Sequence, residues 1–451
     1  MTTTLIQSGT LVCMDAAGTL ARGDLLVREG AIAALGPAVP AALAALPGGR
    51  ADEVIDANNG FVLPGFVHGH MHLCQTLFRG LAEQTDLLRW LRESIWPLEA
   101  AHTESSIAAS AWLGVCELVA GGVTCINDMG TVHMTEVTAS VLEQAGLRAV
   151  IGKALMDQGE RVPPRLIETP KLAMESALGL AKRFHGVAAG RLQISLAPRF
   201  ILSCSEGLWR DVAAASHEYG LLVHTHIAES PAEGREVERV VQRTAASYFA
   251  EHGVLSERFV GAHGVWLETD ELAAMARANA ALMHCPGSNL KLGSGLANVR
   301  AWRKAGIRCG LGSDGAACNN RLDTFAEMSL AAGISRVLEP AGALSAREVV
   351  ELATCRGAEA LGLGVVTGSL EAGKQADIVV LDAGAPALAP NAMADPYTTI
   401  VHSMQPSHVR LTMAAGRVLY RAGTWATLDP DRAAADARAE SLGLLERAGL
   451  A

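Results

Sequence analysis

The sequence predicts an α/β fold, a (β/α)8 TIM barrel with a small β-sandwich formed from both chain termini. Three observations support this prediction. Short apolar strands alternate with helical stretches eight times along the middle of the chain. Strand-like patterns without intervening helices occupy both ends. Histidines recur at the C-terminal ends of the predicted middle strands, which is the face where barrel enzymes carry their chemistry.

The two terminal segments resemble each other in pattern. From Leu5 to about Asp56, short apolar alternations are broken by Gly and Asp, which predicts a run of short antiparallel strands. Residues 376–382 and 408–423 repeat this pattern, and Gly416 lies where a hairpin turn is expected. Because chain ends often lie close together, we expect residues 1–59 and 367–428 to form one β-sandwich.

The barrel is predicted to span residues 60–366. Its connecting segments are long enough for the crossover helices that parallel strands need. The predicted strands are 61–70, 123–128, 148–157, 192–198, 221–229, 258–265, 281–286 and 308–314. A doubly wound open sheet is the structural alternative, but the chain has no G-x-G-x-x-G fingerprint to support it. The Ala-rich and Arg-rich segment 429–451 predicts a final surface helix.

Composition excludes several classes of protein. Half of the 451 residues are hydrophobic and 19% are charged, which is typical of a large packed core. A formal net charge of -10 and the absence of a Lys/Arg-rich run argue against a nucleic-acid partner. No signal peptide and no run of eighteen apolar residues is evident, so we expect no membrane partner. Nine cysteines without a C-x-x-C pair suit a reducing, cytoplasmic location.

Four residues are predicted to bind a divalent metal ion. His70 and His72 alternate at the end of the first predicted strand, so both side chains point to the same side. His226 ends the fifth strand and Asp314 the eighth, and these strands become neighbours of the first only when a barrel closes. Alone, each residue has an ordinary structural explanation. Three imidazoles and one carboxylate together suit Zn²⁺ or Fe²⁺ and leave room for a water molecule.

Two further residues are candidates for proton transfer. Glu229 follows His226 by three residues and is expected to face the same water molecule, although a glutamate that opens a helix is also common. His263 ends the sixth strand. The hypothesis is that activated water attacks a ring carbon bearing an amine. Glu229 then protonates the adjacent ring nitrogen, His263 steadies the tetrahedral centre, and Asp314 carries a proton to the departing ammonia.

Several segments together resemble the amidohydrolase superfamily. The resemblance is to its branch of S-adenosylhomocysteine/methylthioadenosine deaminases, guanine deaminases and atrazine chlorohydrolase, and it extends over nearly the whole chain. The segments are PGFVHGHMH (64–72), HTHIAES (224–230), GAHGV (261–265), HCPGSNLKLGSG (284–295), GLGSDGAACNN (310–320) and GSLEAGKQADIVVLD (368–382).

The resemblance implies the same metal ligands, Glu229 as proton shuttle and His263 as a catalytic histidine. It also implies a small-molecule heterocyclic amine as substrate and a homo-oligomer, either a dimer or a tetramer. Relatives with two metals bridge them with a modified lysine, and residues 192–200 contain no lysine. One ion is therefore expected, with zinc first and iron as the alternative.

Substrate-binding residues follow two patterns within this branch. Trp90, Glu99, Lys153 and Arg165 resemble the residues that hold a nucleoside and its amino-acid tail: the Trp for stacking, the Glu for ribose hydroxyls and the basic pair for a carboxylate. The histidine and serine expected with that pattern are replaced by Arg199 and Cys318, respectively.

A second set resembles guanine deaminases instead. There Arg199 would donate to a ring carbonyl, Gln75 would pair with an amidine edge, and Phe200 would pack on the ring. The substrate is thus expected to be a purine-type base or nucleoside, and both the guanine-like and the adenosine-like possibilities stay open.

Two other functions are open at this point. The first is a hydrolase that displaces chloride, an alkylamine or an amide from a triazine-like ring, and the presence of Glu229 favours deamination over it because an amine needs more protonation to leave. The second is a catalytically silent scaffold, which is expected to have lost metal ligands. This chain retains all four candidates.

Overall fold

Two hydrogen-bonded sheets organise the chain in the computed structural model, which describes residues 2–81, 86–390 and 395–450. Eight strands form one sheet and nine form the other. In chain order the strands are β1 Thr3–Val12, β2 Leu20–Arg28, β3 Ala31–Leu35, β4 Glu53–Asp56, β5 Phe61–Pro64, β6 Phe66–Met71, β7 Val123–Met129, β8 Arg148–Leu155, β9 Leu192–Pro198, β10 Leu222–Ile227, β11 Phe259–His263, β12 Ala281–His284, β13 Arg308–Leu311, β14 Ile378–Leu381, β15 Val409–Ala414, β16 Arg417–Arg421 and β17 Thr424–Trp425.

Strands β6 to β13 are parallel and follow one another in sequence order, as in a (β/α)8 barrel. Their residues are almost all buried, because crossover helices cover the outer face and side chains fill the interior. The first and last strands meet where the backbone N–H of Asp314 donates to the carbonyl of His70 at 3.1 Å. The predicted barrel is confirmed. Its closure brings the end of β6, which carries His70, beside the end of β13, which precedes Asp314.

The terminal segments build the second sheet, in the order β17-β16-β15-β14-β5-β1-β2-β3, with β4 on β1. The predicted β-unit from both termini is therefore confirmed. Its pairing differs from the antiparallel run expected, because β1 pairs antiparallel with β2 but parallel with β4 and β5. The sheet is mixed because the chain crosses over between β3 and β4 instead of turning back in a hairpin.

The predicted first barrel strand, 61–70, is divided between the two sheets. β5 pairs with β1 and β14 of the terminal sheet, whereas β6 pairs with β7 of the barrel. The division falls at Gly65, where a Cβ atom would lie about 2.1 Å from the side chain of Thr124. A residue without a side chain is needed there, and the break carries the chain directly from one sheet into the other.

Helices cover the barrel and extend its C-terminal face. They are α1 Val39–Ala44, α2 Leu87–Trp90, α3 Trp96–Ala100, α4 Glu104–Ala120, α5 Thr135–Ala145, α6 Pro170–Phe184, α7 Glu206–Tyr219, α8 Pro231–Val241, α9 Ala245–Glu251, α10 Thr269–Arg277, α11 Pro286–Lys291, α12 Val299–Ala305, α13 Ala316–Asn319, α14 Thr324–Leu338, α15 Ala346–Leu352, α16 Cys355–Ala360, α17 Pro396–His402 and α18 Pro430–Ala448. Within the described ranges, no helix has the length and apolar character needed to cross a bilayer.

Candidate active site

His70, on β6, and His72, just after β6, face the centre of the barrel. Nε2 of His70 lies 3.2 Å from Oδ1 of Asp314, and Nε2 of His72 lies 3.5 Å from the same oxygen. Both imidazoles are buried, at 0% and 3% exposure. The alternation of side chains along a strand accounts for their common direction, as the H-x-H spacing predicts.

His226 reaches the same point from β10. Its Nε2 lies 3.3 Å from Nε2 of His72. The opposite ring nitrogens are engaged elsewhere: Nδ1 of His72 donates to the carbonyl of Met129 at 2.9 Å, and Nδ1 of His226 donates to the carbonyl of Arg199 at 2.7 Å. These bonds place the ring hydrogen on Nδ1 and leave a lone pair on each Nε2, which is the tautomer a metal ligand needs.

Asp314 is held rigidly opposite the histidines. The hydroxyl of Ser288 donates to its Oδ2, and the backbone N–H of Gly315 donates to its Oδ1, each at 2.7 Å. Although burial opposes ionisation, the close approach of His70, with smaller contributions from His263 and His72, holds the pKa of Asp314 well below its usual range. The residue therefore presents a carboxylate to the imidazoles.

The donor set fits a divalent cation. Nε2 of His70 is buried and has no hydrogen-bond partner within the described residues, and it belongs to two groups of donors whose atoms lie within 4.8 Å of one another. One group adds His72 and His226, and the other adds His263 and Asp314. Burial lowers the pKa of His72 to about 3 and that of His226 well below 6.5, so these imidazoles are neutral and able to coordinate.

Glu229 and His263 stand beside this centre. Nε2 of His263 lies 3.5 Å from Oε2 of Glu229 and 3.8 Å from Oδ2 of Asp314. Burial raises the pKa of Glu229 to about 7. Burial opposes the charged form of His263, but the two carboxylates outweigh it and raise its pKa. A carboxyl whose pKa lies near neutrality, beside an imidazole whose pKa is raised, is suited to proton transfer.

A cavity opens onto these groups, and its lining combines apolar and aromatic side chains with a few polar ones, as in sites that bind small molecules. Its lining is His72, Gln75, Leu87, Trp90, Leu91, Arg199, Phe200, His226, Glu229, Glu233, His263 and Asp314. Four of the predicted substrate-binding residues, Gln75, Trp90, Arg199 and Phe200, are therefore brought to the cavity wall.

Glu99 lies behind that wall. Its Oε1 accepts a hydrogen bond from Nε2 of Gln75 at 2.9 Å, and its Oε2 accepts one from Nη1 of Arg199 at 2.5 Å. The side chains of Glu99 and Arg199 are each 4% exposed. The pair is thus a buried ion pair between α3 and the end of β9.

The remaining predicted substrate residues, Lys153 and Arg165, lie outside the lining of this cavity. The ammonium group of Lys153 is buried and paired with the carboxylate of Glu168. Arg165 is exposed, and its Nη2 donates to the carbonyl of His102 at 3.2 Å. The structure does not bring this pair together with the other substrate-binding candidates.

Some residues at the site had no role assigned from the sequence. Asn289 accepts from Nδ1 of His263 through its Oδ1 at 2.9 Å, and Ser288 holds Asp314. Both lie on α11, directly after β12, so their place at a strand end was the available signal. Glu233 accepts from the backbone N–H of Glu229 at 2.7 Å and from that of Ser230. The S-x-x-E pattern of a capping box would have indicated it.

Known proteins share this fold and much of this sequence. The chain is 37% identical over 416 residues to a 5'-deoxyadenosine deaminase from Methanothermobacter thermautotrophicus, covering 92% of each chain. It is 35% identical over 399 residues to a 5-methylthioadenosine/S-adenosylhomocysteine deaminase from Haloarcula marismortui, covering 88% of this chain and 90% of that one.

Two solved structures are similar over nearly the whole chain. An adenosine deaminase from Xanthomonas campestris with bound zinc has a TM-score of 0.90 at 26% identity, covering 99% of each chain. The atrazine chlorohydrolase TrzN from Arthrobacter aurescens TC1, complexed with zinc, has a TM-score of 0.88 at 25% identity, covering 97% of this chain and all of that one.

A family match completes the comparison. The Amidohydrolase family matches residues 61–419, which include every barrel strand and the candidate metal ligands. The resemblance found in the sequence motifs is thereby confirmed. The chain belongs to the amidohydrolase family.

Proposed function

We propose that this chain is a metal-dependent hydrolytic deaminase that releases ammonia from an amino-substituted heterocycle of purine type. The observation that supports the proposal is the convergence of the metal-binding candidates with Glu229 and His263 at the floor of one cavity. The names of the relatives, which are deaminases of adenosine-type nucleosides, favour the same reaction. We therefore place adenosine-type nucleosides first among its substrates.

His70, His72, His226 and Asp314 would hold one divalent ion. Zinc is the preferred ion because three imidazoles and one carboxylate suit it, and because the Xanthomonas campestris neighbour carries zinc. When bound, such an ion supplies a Lewis acid that makes water nucleophilic near neutral pH.

The chain's own residues then handle the protons. Asp314, fixed by Ser288, accepts a proton from the attacking water and returns it to the departing amine. Glu229 holds a proton near neutral pH and passes it to the ring nitrogen next to the amine-bearing carbon. His263, oriented by Asn289, donates a hydrogen bond to the oxygen that develops negative charge at that carbon. The amine leaves as ammonia and the ring keeps the oxygen of water.

The cavity wall would hold the base. Trp90 and Phe200 line the cavity and would supply the aromatic surface that packs against the ring. Arg199 supplies N–H donors for a ring nitrogen or carbonyl, and Oε1 of Gln75 is a buried acceptor without a partner in the described residues. For Lys153 we propose no substrate contact, since Glu168 already neutralises its charge.

The experiment is ammonia release by metal-analysed enzyme. The compounds assayed as substrates are 5'-deoxyadenosine, methylthioadenosine, S-adenosylhomocysteine, adenosine, guanine and melamine. Each assay is repeated with the Arg199→Ala variant. Turnover of the nucleosides supports the proposal. Preference for guanine that collapses in the variant would instead assign an oxo-amino base to the Arg199 wall.

A triazine hydrolase is the second candidate, favoured by the likeness to TrzN. Glu229 argues for deamination, because an amine must be protonated to leave whereas chloride need not be. Chloride release from atrazine without ammonia from any nucleoside would select this alternative.

The remaining proposals concern the cell. The nine cysteines are free thiols, which supports a reducing cytoplasm. We also propose a homo-oligomer, a dimer or a tetramer, which light scattering of the purified chain would measure.

A further inference from the structure

His70 differs from the other two candidate histidine ligands in what holds its ring. Nδ1 of His72 and Nδ1 of His226 each donate to a backbone carbonyl. Nδ1 of His70 instead lies 2.8 Å from Nε2 of His224. His224 belongs to β10, two residues before His226, whereas His70 belongs to β6. A side chain, and not the backbone, therefore sets the orientation of the His70 ring.

His224 reaches His70 across the interior of the barrel. β7, β8 and β9 separate their two strands in the sheet, so the two rings do not meet as neighbours on paired strands. The ring centroids lie 5.0 Å apart and the ring planes are inclined by 84°. Both residues are 0% exposed. The contact is therefore closed to solvent, at the ring nitrogen of His70 that is not directed at Asp314.

The positions of the ring hydrogens follow from these contacts. Nε2 of His70 lies 3.2 Å from Oδ1 of Asp314 and belongs to both groups of donor atoms that could hold an ion, so it must keep its lone pair to bind metal. The ring hydrogen of His70 is then on Nδ1 and is donated to Nε2 of His224. His224 itself belongs to neither donor group in the described part of the chain. It is thus an acceptor for a ligand and not a ligand.

We propose that His224 is a positioning residue that holds His70, through this hydrogen bond, with Nε2 directed at the metal ion. The proposal rests on the proposed metal-dependent function. An acceptor on Nδ1 fixes the orientation of a ligand ring and raises its basicity, and loss of such a partner typically weakens metal binding by about 10- to 100-fold. His224 is absent from the cavity lining that the described residues form, so substrate binding should not depend on it.

Two substitutions separate the acceptor from the rest of the ring. In His224→Gln the side-chain amide can reach the position of Nε2, whereas in His224→Asn it reaches only that of Nδ1, too far from His70 to accept. Zinc affinity is measured by competition with a chromophoric chelator, which needs no turnover. His224→Gln is expected to bind zinc within about threefold of wild type, and His224→Asn at least about tenfold more weakly.

His284→Asn is the matched control. His284 is a buried histidine at the end of β12, and neither of its ring nitrogens has a hydrogen-bond partner within the described residues. The same substitution there removes an imidazole of equal size but no hydrogen bond to a candidate ligand. Zinc affinity is therefore expected to stay within about threefold of wild type.

Kinetics at saturating zinc separate positioning from substrate binding. The kcat for 5'-deoxyadenosine is expected to fall at least about tenfold in His224→Asn and to be retained in His224→Gln. The KM should stay within about threefold of wild type in both variants, because the wall that holds the base is unchanged.

Two results would overturn the proposal: wild-type zinc affinity in His224→Asn, or an equal loss of affinity in the folded Gln and Asn variants. If His224→Asn does not fold, His224→Gln decides alone, since a loss of more than about tenfold there would exclude the acceptor role. Failure of the deaminase function gives a different result: wild type releases no ammonia, while the order of zinc affinities still reports the hydrogen bond.

Discussion

Two residues at the candidate site have backbone conformations that L-amino acids rarely adopt. Asp314 has φ +61° and His263 has φ +76°. Each such residue costs on the order of 1–3 kcal/mol and persists only where surrounding contacts fix it. Here Ser288 and Asn289 supply those contacts. These backbone conformations bring the side chains of Asp314 and His263 within 3.8 Å of each other, as strained residues at active sites commonly do.

Glu229→Gln tests the proton shuttle. The amide is isosteric but cannot deliver the proton, so kcat is expected to fall by roughly 10²- to 10⁴-fold. Metal content and the circular dichroism spectrum should stay as in wild type. Glu238→Gln, on the exposed face of α8, is the control and should retain full activity. Wild-type turnover by Glu229→Gln would remove this residue from the mechanism.

His102 links stability to pH. Burial lowers its pKa to about 4, while Nε2 donates to the carbonyl of Cys74 at 2.9 Å. Between pH 6.5 and about 4 the unfolded chain binds a proton that the folded chain does not. The stability that neutral His102 contributes to the folded state is therefore complete above pH 6.5. As pH falls toward 4, the free energy of unfolding decreases by up to about 1.4 kcal/mol per pH unit.

Urea unfolding at several pH values measures this effect. His102→Gln is expected to be less stable than wild type at pH 7 and to lose less stability on acidification. His217→Gln, on an exposed helix surface, should follow the wild-type curve. Parallel curves for His102→Gln and wild type would contradict the assignment.

Some residue positions could be predicted from the sequence, whereas one contact between residues could not. The H-x-H spacing placed His70 and His72 on one side of one strand, because side chains alternate along a strand. The pairing of Glu99 with Arg199 joins residues 100 positions apart, on a helix and after a strand. Pattern and spacing do not report such a contact, so the sequence indicated both residues as substrate-facing and missed their bond.

At the scale of elements, the seam between β6 and β13 brings His70 and His72 to Asp314. The backbone N–H of Asp314, just after β13, donates to the carbonyl of His70 on β6 at 3.1 Å. The eight predicted strands and their order followed from alternation of apolar and helical segments. The division at Gly65 was missed, although the Pro64-Gly65 pair interrupts the apolar pattern of residues 61–70 and was the available signal.

Gly312→Ala tests the seam. An added Cβ would lie 2.7 Å from the carbonyl oxygen of His70 and 2.8 Å from its nitrogen, and a backbone cannot move aside cheaply. The variant is expected to bind zinc at least about tenfold more weakly, since a shift in one ligand perturbs the whole site. Gly179→Ala, where nothing lies within 4 Å, is the control and should bind zinc as wild type does. Equal zinc affinity in both variants would contradict this role.

Helix α18 supports the wall of the site from outside. Leu444 is fully buried in a cluster that includes Trp90 and Trp96, whereas Leu442 is 69% exposed. Leu444→Ala is expected to cost about 2–5 kcal/mol of unfolding free energy. Leu442→Ala, the matched control on the same helix, should change it by less than about 0.5 kcal/mol. Equal effects of the two substitutions in urea unfolding would show that the helix does not support the wall.

At the scale of the whole molecule, the two ends of the chain meet in one sheet, which is joined directly to the strand that carries the candidate metal ligands. β1 and β14 both pair with β5, which continues into β6 and its histidines. The barrel class and the terminal sheet could be predicted because each has a distinct periodicity. The mixed pairing within the terminal sheet could not, because parallel and antiparallel strands share the same pattern over four or five residues.

Chelation tests whether the four candidate ligands hold an ion. A ligand that binds only the folded state stabilises it by about 2.7 kcal/mol at one hundred times its Kd. Dialysis against a chelator is expected to lower the melting temperature, and zinc should restore it. His70→Ala should not respond to zinc. An unchanged melting temperature in wild type would show that the four candidates do not hold an ion.

The central claim is tested most directly by one assay: ammonia released from 5'-deoxyadenosine by wild-type enzyme of counted zinc content. The account predicts one ammonia per nucleoside consumed, with about one zinc per chain, as a single set of four ligands requires. Enzyme that carries its zinc and consumes the nucleoside without ammonia, or leaves it intact, would contradict the account.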